Sequence, residues 1–183
     1  MTWTLDPAHS AVTFSAKHMM ITTVRGSMAI RDFKLDFDPK DIVGSSVRVS
    51  LDAASIDTGQ EARDGHLRSA DFLETEAHPT IDFVSTRIEP AGDDYRIHGD
   101  LTIRGETRPV VLDAELEGIV PNMQGGTRAA FSATTKVNRD EFGLNWNVAL
   151  EQGGWLVSKD IKIEMDIAAV AETAEAASDE AAA

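Results

Sequence analysis

In Ile161-Lys162-Ile163-Glu164-Met165-Asp166-Ile167, apolar and polar residues alternate at every position. The same period of two runs through residues 47–52 and 96–104. Because successive side chains of a β-strand point to opposite faces, this pattern is typical of antiparallel strands with one buried and one solvated face. These stretches therefore indicate an all-β protein.

Weaker alternation extends the pattern along the chain, over residues 12–16, 24–37, 81–83, 110–116 and 129–137. Clusters of Gly, Pro and Asp separate these stretches at short intervals, as tight turns require. About eight strands with one apolar face each predict either a sandwich or a closed barrel. A barrel has no exposed edge, and an eight-stranded one can enclose a small ligand.

A helical insert is predicted around residues 60–70, where the alternation stops. Thr58-Gly59-Gln60-Glu61 fits a capping box, in which Thr58 caps the amide of Glu61 and Glu61 reaches back. We expect a short helix over residues 62–70, with Leu67, Phe72 and Leu73 as its apolar contacts. Such an insert is expected to close one end of the barrel or sandwich.

The charge of the chain limits its partners. The 183 residues carry 17 Lys and Arg against 31 Asp and Glu, a formal net charge of −14. This acidity disfavours nucleic acid and anionic membrane surfaces, which select basic patches. The absence of cysteine excludes disulfide scaffolds, zinc ribbons and thiol catalysis.

The length fits a single domain, which we predict for residues 1–170, followed by a disordered, acidic, alanine-rich tail over residues 171–183. The sequence contains no stretch of about 18 apolar residues, so no membrane-spanning helix is predicted. No secretory signal opens the sequence, so we expect a cytoplasmic protein.

The histidines do not predict a metal site. His9 and His18 are nine residues apart, which places them on opposite faces of a regular strand. No His-Glu-x-x-His motif is present. We therefore expect no bound metal.

Nucleophilic catalysis is also disfavoured. The sequence has no Gly-x-Ser-x-Gly motif. Asp64 and His66, with Ser69 nearby, are two residues apart, so on a helix their side chains diverge by about 200°. We expect Arg63, Asp64 and His66 to tie the insert to the barrel rim instead.

Two further groups leave alternatives open. Arg104 and Arg108 flank a short hairpin, where they fit either an anionic head group or, as we favour, salt bridges around a simple turn. The aromatic residues Phe142, Trp146 and Trp155 fit either an apolar pocket or a packed core.

A series of motifs runs in order from residue 3 to about residue 168. They are Trp3-x-Leu5-Asp6-x-x-His9-Ser10-x-Val12-x-Phe14-x-x-Lys17-His18, Val24-Arg25-Gly26, Ser55-Ile56-Asp57-Thr58-Gly59, Arg63-Asp64-x-His66-Leu67-x-Ser69-x-Asp71-Phe72, His78-Pro79-x-Ile81-x-Phe83-x-Ser85-Thr86, Gly99-Asp100-Leu101-Thr102-Ile103-Arg104-Gly105-x-Thr107-Arg108-Pro109-Val110 and Arg139-x-x-Phe142-Gly143-Leu144. In this order and spacing they resemble the YceI-like family.

The resemblance implies an extended, lipocalin-like antiparallel barrel of eight strands with a helical insert. It also implies an apolar tunnel that takes a polyisoprenoid chain, such as the tail of an isoprenoid quinone or another polyprenyl compound. The resemblance implies no enzymatic activity. We therefore expect a non-catalytic protein that sequesters or transports such a lipid, with no cofactor besides the bound lipid.

The candidate ligand-contacting residues are the apolar residues expected to face inward: Val12, Phe14, Val24, Met28, Ile30, Leu51, Ile56, Leu67, Phe72, Ile81, Phe83, Leu101, Ile103, Leu112, Phe131, Phe142, Leu144, Trp146 and Trp155. Packing in a filled core is an equal alternative for each. Leu67 and Phe72 would cover the mouth, where Arg63 or His66 would meet a polar head group.

Two other functions remain open at this point. One is an enzyme that acts on such a lipid through His66 or Asp64. The other is a structural or stress-related interaction protein whose barrel is filled by its own side chains. A homodimer formed through an outer face of the barrel is compatible with either.

Overall fold

The computed structural model describes residues 2–171. It contains ten strands: β1 Thr2–Leu5, β2 Ala11–His18, β3 Thr22–Met28, β4 Ile30–Asp36, β5 Ser46–Asp52, β6 Thr80–Ala91, β7 Asp94–Ile103, β8 Glu106–Pro121, β9 Thr127–Asn138 and β10 Asp160–Ala171. One α-helix, α1, spans Glu61–Arg68, and short 3-10 helices span Pro7–His9, Ala53–Ser55 and Arg139–Phe142. Of the predicted tail, Ala171 is the buried last residue of β10, and residues 172–183 lie outside the described residues.

The strands close into one antiparallel barrel. Neighbours follow the order β1-β4-β5-β6-β7-β8-β9-β10-β2-β3, and β1 also pairs with β10. Since β1 and β2 both pair with β10, they act as one strand interrupted by the Pro7–His9 turn. In the same way β3 and β4 form one strand broken at Ala29. The barrel therefore has eight strands, and the predicted all-β barrel with a helical insert is confirmed.

The break at Ala29 divides the stretch that the alternation marked as continuous over residues 24–37. The Ala29 amide donates to the Ser55 hydroxyl at 2.7 Å, and the Ala29 carbonyl accepts from the Asp52 amide at 2.9 Å. These bonds join Ala29 to the end of β5 rather than to a strand ladder. A contact so distant in sequence leaves no local pattern.

The helix α1 begins without the predicted capping box. Gln60 is the residue before its first turn, and its side chain makes no capping hydrogen bond. The Thr58 hydroxyl and amide both donate to one Asp64 carboxylate oxygen, at 2.5 and 2.9 Å. Gly59, with φ of 78°, turns the chain so that Thr58 faces Asp64 rather than Glu61.

The strand registers sort the loops into two ends of the barrel. The β2–β3 turn, the 53–79 segment with α1, the β7–β8 turn and the 139–159 loop leave the strands at one end, which we call the insert end. The β4–β5 loop and the β6–β7 and β8–β9 turns lie at the far end. No helix among residues 2–171 is long and apolar enough to cross a membrane.

A packed cluster closes the far end. Trp3 and Phe37 are each 2% exposed, and the indole Nε1 of Trp3 donates to the Phe37 carbonyl at 2.9 Å. The Phe37 ring meets Phe131 edge-on, with centroids 5.0 Å apart. Ala129 and Ala169 are fully buried beside them.

Asp6 anchors the bend between β1 and β2. Its carboxylate accepts hydrogen bonds from Arg128 at 2.5 Å and from the Ala8 amide at 3.0 Å, and the His9 ring nitrogen lies 2.9 Å away. The bonds from Arg128 first, and then from His9, lower the pKa of Asp6 from 3.8 to about 2.

Asp6→Asn is expected to lower the free energy of unfolding at neutral pH. Because the folded-state pKa of Asp6 is depressed, its contribution is complete above about 3.8 and is lost as pH falls through about 2. The difference between wild type and variant in urea unfolding should therefore shrink over that window. Asp93→Asn, in an exposed turn, is the matched control. If Asp6→Asn lowered the free energy of unfolding by the same amount at neutral pH and at about pH 2, the stabilising role of the ionised Asp6 would be contradicted.

Gly99 in β7 admits the ring of Phe83 directly above its backbone. A Cβ at Gly99 would lie 2.4 Å from the Phe83 ring and 2.6 Å from the Val84 carbonyl oxygen. We expect Gly99→Ala to cost about 1–3 kcal/mol in urea unfolding, because a close contact with backbone cannot relax. Gly118→Ala is the control, since nothing in the described part of the chain lies within 4 Å of a Cβ placed there. An equal effect of the two changes would refute the close-packing explanation.

Candidate ligand-binding site

The barrel encloses a cavity of about 710 Å³. Each of the strands β2 to β10 contributes side chains to its wall, mainly aliphatic or aromatic ones at alternate positions. Ile97, Leu101 and Ile103 of β7 show this spacing. A volume and lining of this kind are typical of small-molecule sites.

All the predicted ligand-contacting residues except Ile30 and Trp155 line this cavity. They are Val12, Phe14, Val24, Met28, Leu51, Ile56, Leu67, Phe72, Ile81, Phe83, Leu101, Ile103, Leu112, Phe131, Phe142, Leu144 and Trp146. Arg63 and His66, the predicted polar residues of the mouth, line it as well. The predicted residues of the wall and the mouth therefore surround a single cavity.

Ile30 and Trp155 lie elsewhere. A register shift lies between Ile30 and Asp32, and Ile30 does not line the cavity as Phe33 and Leu35 do. Trp155 precedes β10, pairs with Ala149 in an isolated bridge and is 50% exposed. Neither residue lines the cavity, and contact of either with a ligand stays a prediction.

Other wall residues belong to the same alternation but were not predicted as ligand contacts. Ile161, Ile163 and Met165 occupy alternate positions of β10, and Ile97 and Leu116 do so in β7 and β8. Extending the period of two along each strand would have found them.

At the insert end the cavity reaches the surface, at a mouth formed by Lys17, His18, Gln60, Ala62 and Leu156. Lys17, Gln60 and Ala62 are exposed while also lining the cavity. The mouth therefore lies between the β2–β3 turn, the start of α1 and the 139–159 loop.

Three side chains form an aromatic group just inside this end. The His66 ring meets Phe72 and Trp146 edge-on, with centroids 5.0 and 4.5 Å apart. Nε2 of His66 lies 2.8 Å from Oδ2 of Asp71, which orients the ring. His66 therefore presents an aromatic face to the cavity while its polar edge is held at the surface.

Arg63 and Asp64 are tied to Thr58. The Arg63 guanidinium donates to the Thr58 hydroxyl at 2.7 Å and to its carbonyl at 2.9 Å. Hydrogen bonds from the same residue lower the pKa of Asp64, and the charges of Arg68 and Arg63 add to this. Asp64 and His66 thus have separate partners, and the Ser69 hydroxyl donates to the His66 carbonyl. The arrangement does not form a catalytic relay.

Two arginines that were not predicted to do so hold the insert: Arg68 joins α1 to the chain just after β5, and Arg104 joins the insert to the β7–β8 turn. Arg68 donates to the carbonyls of Ala54 and Ile56 at 2.8 and 3.0 Å. Arg104 donates to the Phe72 carbonyl at 3.1 Å and pairs with Glu74 at 3.3 Å. The expectation of a structural hairpin at Arg104 agrees with these bonds, whereas Arg63 and Asp64 fold the insert onto itself.

Arg139, which the motifs above include without a predicted role, is a buried residue beside the cavity. It is 4% exposed, and its guanidinium donates to the carbonyls of Ser158, Leu144 and Trp146 at 2.9, 2.6 and 2.8 Å. Burial lowers the pKa of Arg139 from its ordinary value. It lies 5.8 Å from the centre of the Phe72 ring. Arg139 thus fixes the loop that carries Trp146 against the cavity.

Several known proteins are similar to this chain. Residues 3–169 match the family model of the YceI-like domain. A UPF0312 protein of Staphylococcus epidermidis is 38% identical over 160 residues, which are 87% of this chain and 91% of that protein. A UPF0312 protein of Staphylococcus aureus is 36% identical over 163 residues, 88% of this chain and 93% of that protein.

Solved structures share the barrel. The Campylobacter jejuni YceI protein is 27% identical with a TM-score of 0.71, over 86% of this chain and 90% of that one. Burkholderia cenocepacia BcnA is 24% identical with a TM-score of 0.73, over 90% and 99%. A polyisoprenoid binding domain from Saccharophagus degradans is 12% identical with a TM-score of 0.63, over 93% and 98%. With its closed barrel, its helical insert and a family match over nearly its whole length, this chain belongs to the YceI-like family.

Proposed function

We propose that this protein binds a long-chain isoprenoid lipid inside its barrel and sequesters or carries it without catalysis. The observation that carries the proposal is the apolar cavity of about 710 Å³ that extends between the two ends of the barrel. The name of the Saccharophagus degradans domain, which has the same fold, gives the ligand class further support. An isoprenoid quinone or a polyprenyl compound fits the class.

The length of the cavity suits a chain. Tyr95 and Ile103 both line it, and they are eight residues apart on β7, roughly 27 Å along the strand. With the usual tilt of barrel strands, this is about 20 Å along the barrel axis. An elongated apolar molecule can therefore lie along the axis, while Arg63 and His66 are placed to meet its head group at the insert end.

The binding energy is sufficient for a tight complex. Each five-carbon isoprene unit contributes about 4 kcal/mol on burial, at about 0.8 kcal/mol per carbon. Four units contribute about 16 kcal/mol, and an association cost of about 8 kcal/mol leaves micromolar affinity.

The cavity and its polar groups favour this function over the two alternatives. A wide apolar space counts against a barrel filled by its own side chains. Asp64 accepts a hydrogen bond from Thr58, and His66 is paired with Asp71. Asp64 and His66 therefore do not form the pair of contacting groups that an enzyme of this kind would need.

Two measurements test the proposal. Native mass spectrometry and organic extraction of freshly purified protein are expected to release an isoprenoid lipid. Titration with a ubiquinone should quench tryptophan fluorescence mainly through Trp146, which lines the cavity, so Trp146→Phe should remove most of the quenching. Trp155→Phe is the matched control, because Trp155 is exposed and does not line the cavity. Absence of both lipid and quenching would refute the function, and conversion of the lipid that His66→Ala abolishes would point to an enzyme.

A further inference from the structure

The turn between β2 and β3 presents three apolar side chains to the outside. Met19, Met20 and Ile21 are 51%, 63% and 84% exposed, and we call these three residues the apolar tip. Met19 and Met20 have φ angles of 52° and 68°, a left-handed conformation that favours Gly, Asn or Asp. The turn thus holds methionines where its backbone favours small polar residues, which is unfavourable for folding and consistent with a role at the surface.

The apolar tip borders the mouth of the cavity. Lys17 and His18 directly precede it and line the cavity, and the Met19 amide donates to the carbonyl of Leu156, another mouth residue, at 2.8 Å. The Met20 side chain packs on Gly154, next to the half-exposed Trp155. The apolar surface outside the barrel is therefore continuous with the entrance to the apolar space inside it.

The hairpin that carries the apolar tip has a charge opposite in sign to that of the whole protein. Residues 7–31 contain no Asp or Glu, although the chain as a whole carries −14. Lys17 and Arg25 are exposed on the two strands that lead to and from the tip. Because charges act over about 8 Å at physiological salt, the cations of this hairpin act directly on a surface that the apolar tip contacts. The net charge of the whole chain disfavours contact with anionic membrane surfaces, but that argument does not apply to this basic hairpin.

We propose that the apolar tip enters the surface of a phospholipid bilayer, so that an isoprenoid chain passes between the bilayer and the mouth. Met20 and Ile21 enter the boundary of headgroups and acyl chains, and Lys17 and Arg25 meet the lipid phosphates. In this orientation the mouth faces the bilayer, and the chain crosses little water on its way. The identity of the cargo rests on the proposed function, whereas the contact with the bilayer does not.

Docking itself is tested with vesicles that hold no cargo. Wild-type protein is expected to sediment with vesicles of phosphatidylcholine and phosphatidylglycerol, and Ile21→Asp should reduce the bound fraction about fivefold or more. Since Ile21 is 84% exposed, the change leaves the fold intact. Met123→Asp is the matched control, because Met123 is fully exposed in the β8–β9 turn at the far end.

Transfer is tested with a long-chain ubiquinone carried in the vesicles and a short-chain ubiquinone added from solution. Ile21→Asp should slow transfer from vesicles about fivefold or more and leave uptake of the short-chain quinone unchanged. Met19→Asn combined with Met20→Asn should do the same without loss of thermal stability, because asparagine suits the left-handed turn. Met123→Asp should change neither measurement.

The outcomes separate this proposal from the proposed function. If wild type takes up neither quinone but still sediments with vesicles through Ile21, the cargo assignment fails and the docking stands. If Ile21→Asp binds vesicles and transfers quinone like wild type, the docking proposal is overturned. Wild-type dimers that Ile21→Asp converts to monomers, without vesicle binding by either, would assign the apolar tip to a second copy of this chain and overturn it as well.

Discussion

Replacing Ala133 with tryptophan is expected to weaken binding of a long isoprenoid quinone about 30-fold or more, while the barrel stays folded. Ala133 is a small residue of β9 that lines the cavity and is packed against the wall residues, between Ala114 of β8 and Met165 of β10. An indole at this position points into the space that the lipid would fill.

The size of the effect follows from the volume that the indole takes. Displacing one isoprene unit forfeits about 4 kcal/mol of apolar burial, and a loss of half that amount weakens binding roughly 30-fold. Because the indole enters a cavity rather than a packed core, we expect the free energy of unfolding to be unchanged or slightly increased. Urea unfolding and quinone titration measured on the same preparation separate the two effects.

Thr134→Trp is the matched control for Ala133→Trp. Thr134 is the next residue of β9, and its exposed side chain points away from the cavity. The control adds a comparable bulk to the same strand and should leave binding unchanged. Equal affinity of Ala133→Trp and wild type for a long-chain quinone would show that the ligand does not occupy this cavity.

The period of two predicts the barrel wall well, because facing inward in a strand depends on local alternation. Leu101 and Ile103 illustrate this, since their place on the wall follows directly from their alternation with Asp100 and Thr102. The resemblance to a known family then selected a barrel over a sandwich, a choice that the alternation leaves open.

The features that were not predicted depend on contacts between residues far apart in sequence. The break at Ala29 is set by Ser55 and Asp52, and a register shift follows between Ile30 and Asp32. Trp155 was predicted to face inward together with other aromatic residues, whereas it precedes the first residue of β10, Asp160. The path of residues 144–158 has no period, because hydrogen bonds to one buried arginine determine it.

Arg139→Ala is expected to destabilise the protein by about 4 kcal/mol. The change leaves the carbonyls of Leu144, Trp146 and Ser158 without their donor, and each unsatisfied buried acceptor costs about 1–3 kcal/mol. Partial relaxation of the loop toward water keeps the total below the sum of the separate costs. Urea unfolding measures the loss of stability.

The loss is expected to be local before it is global. The loop of residues 144–158 should lose protection in amide hydrogen exchange under conditions where β6 to β8 stay protected, because the guanidinium links that loop to the end of β9. Since Trp146 lines the cavity, its emission should shift toward that of a solvated indole.

Arg139→Lys should restore only part of the stability, because one ammonium cannot match a planar guanidinium that donates in several directions. Arg108→Ala is the matched control, because within residues 2–171 its side chain bonds only to neighbours in its own turn, the Thr107 carbonyl and Glu106. If Arg139→Ala and Arg108→Ala were equally stable and equally protected over residues 144–158, the loop would be held by its apolar contacts and not by the buried arginine.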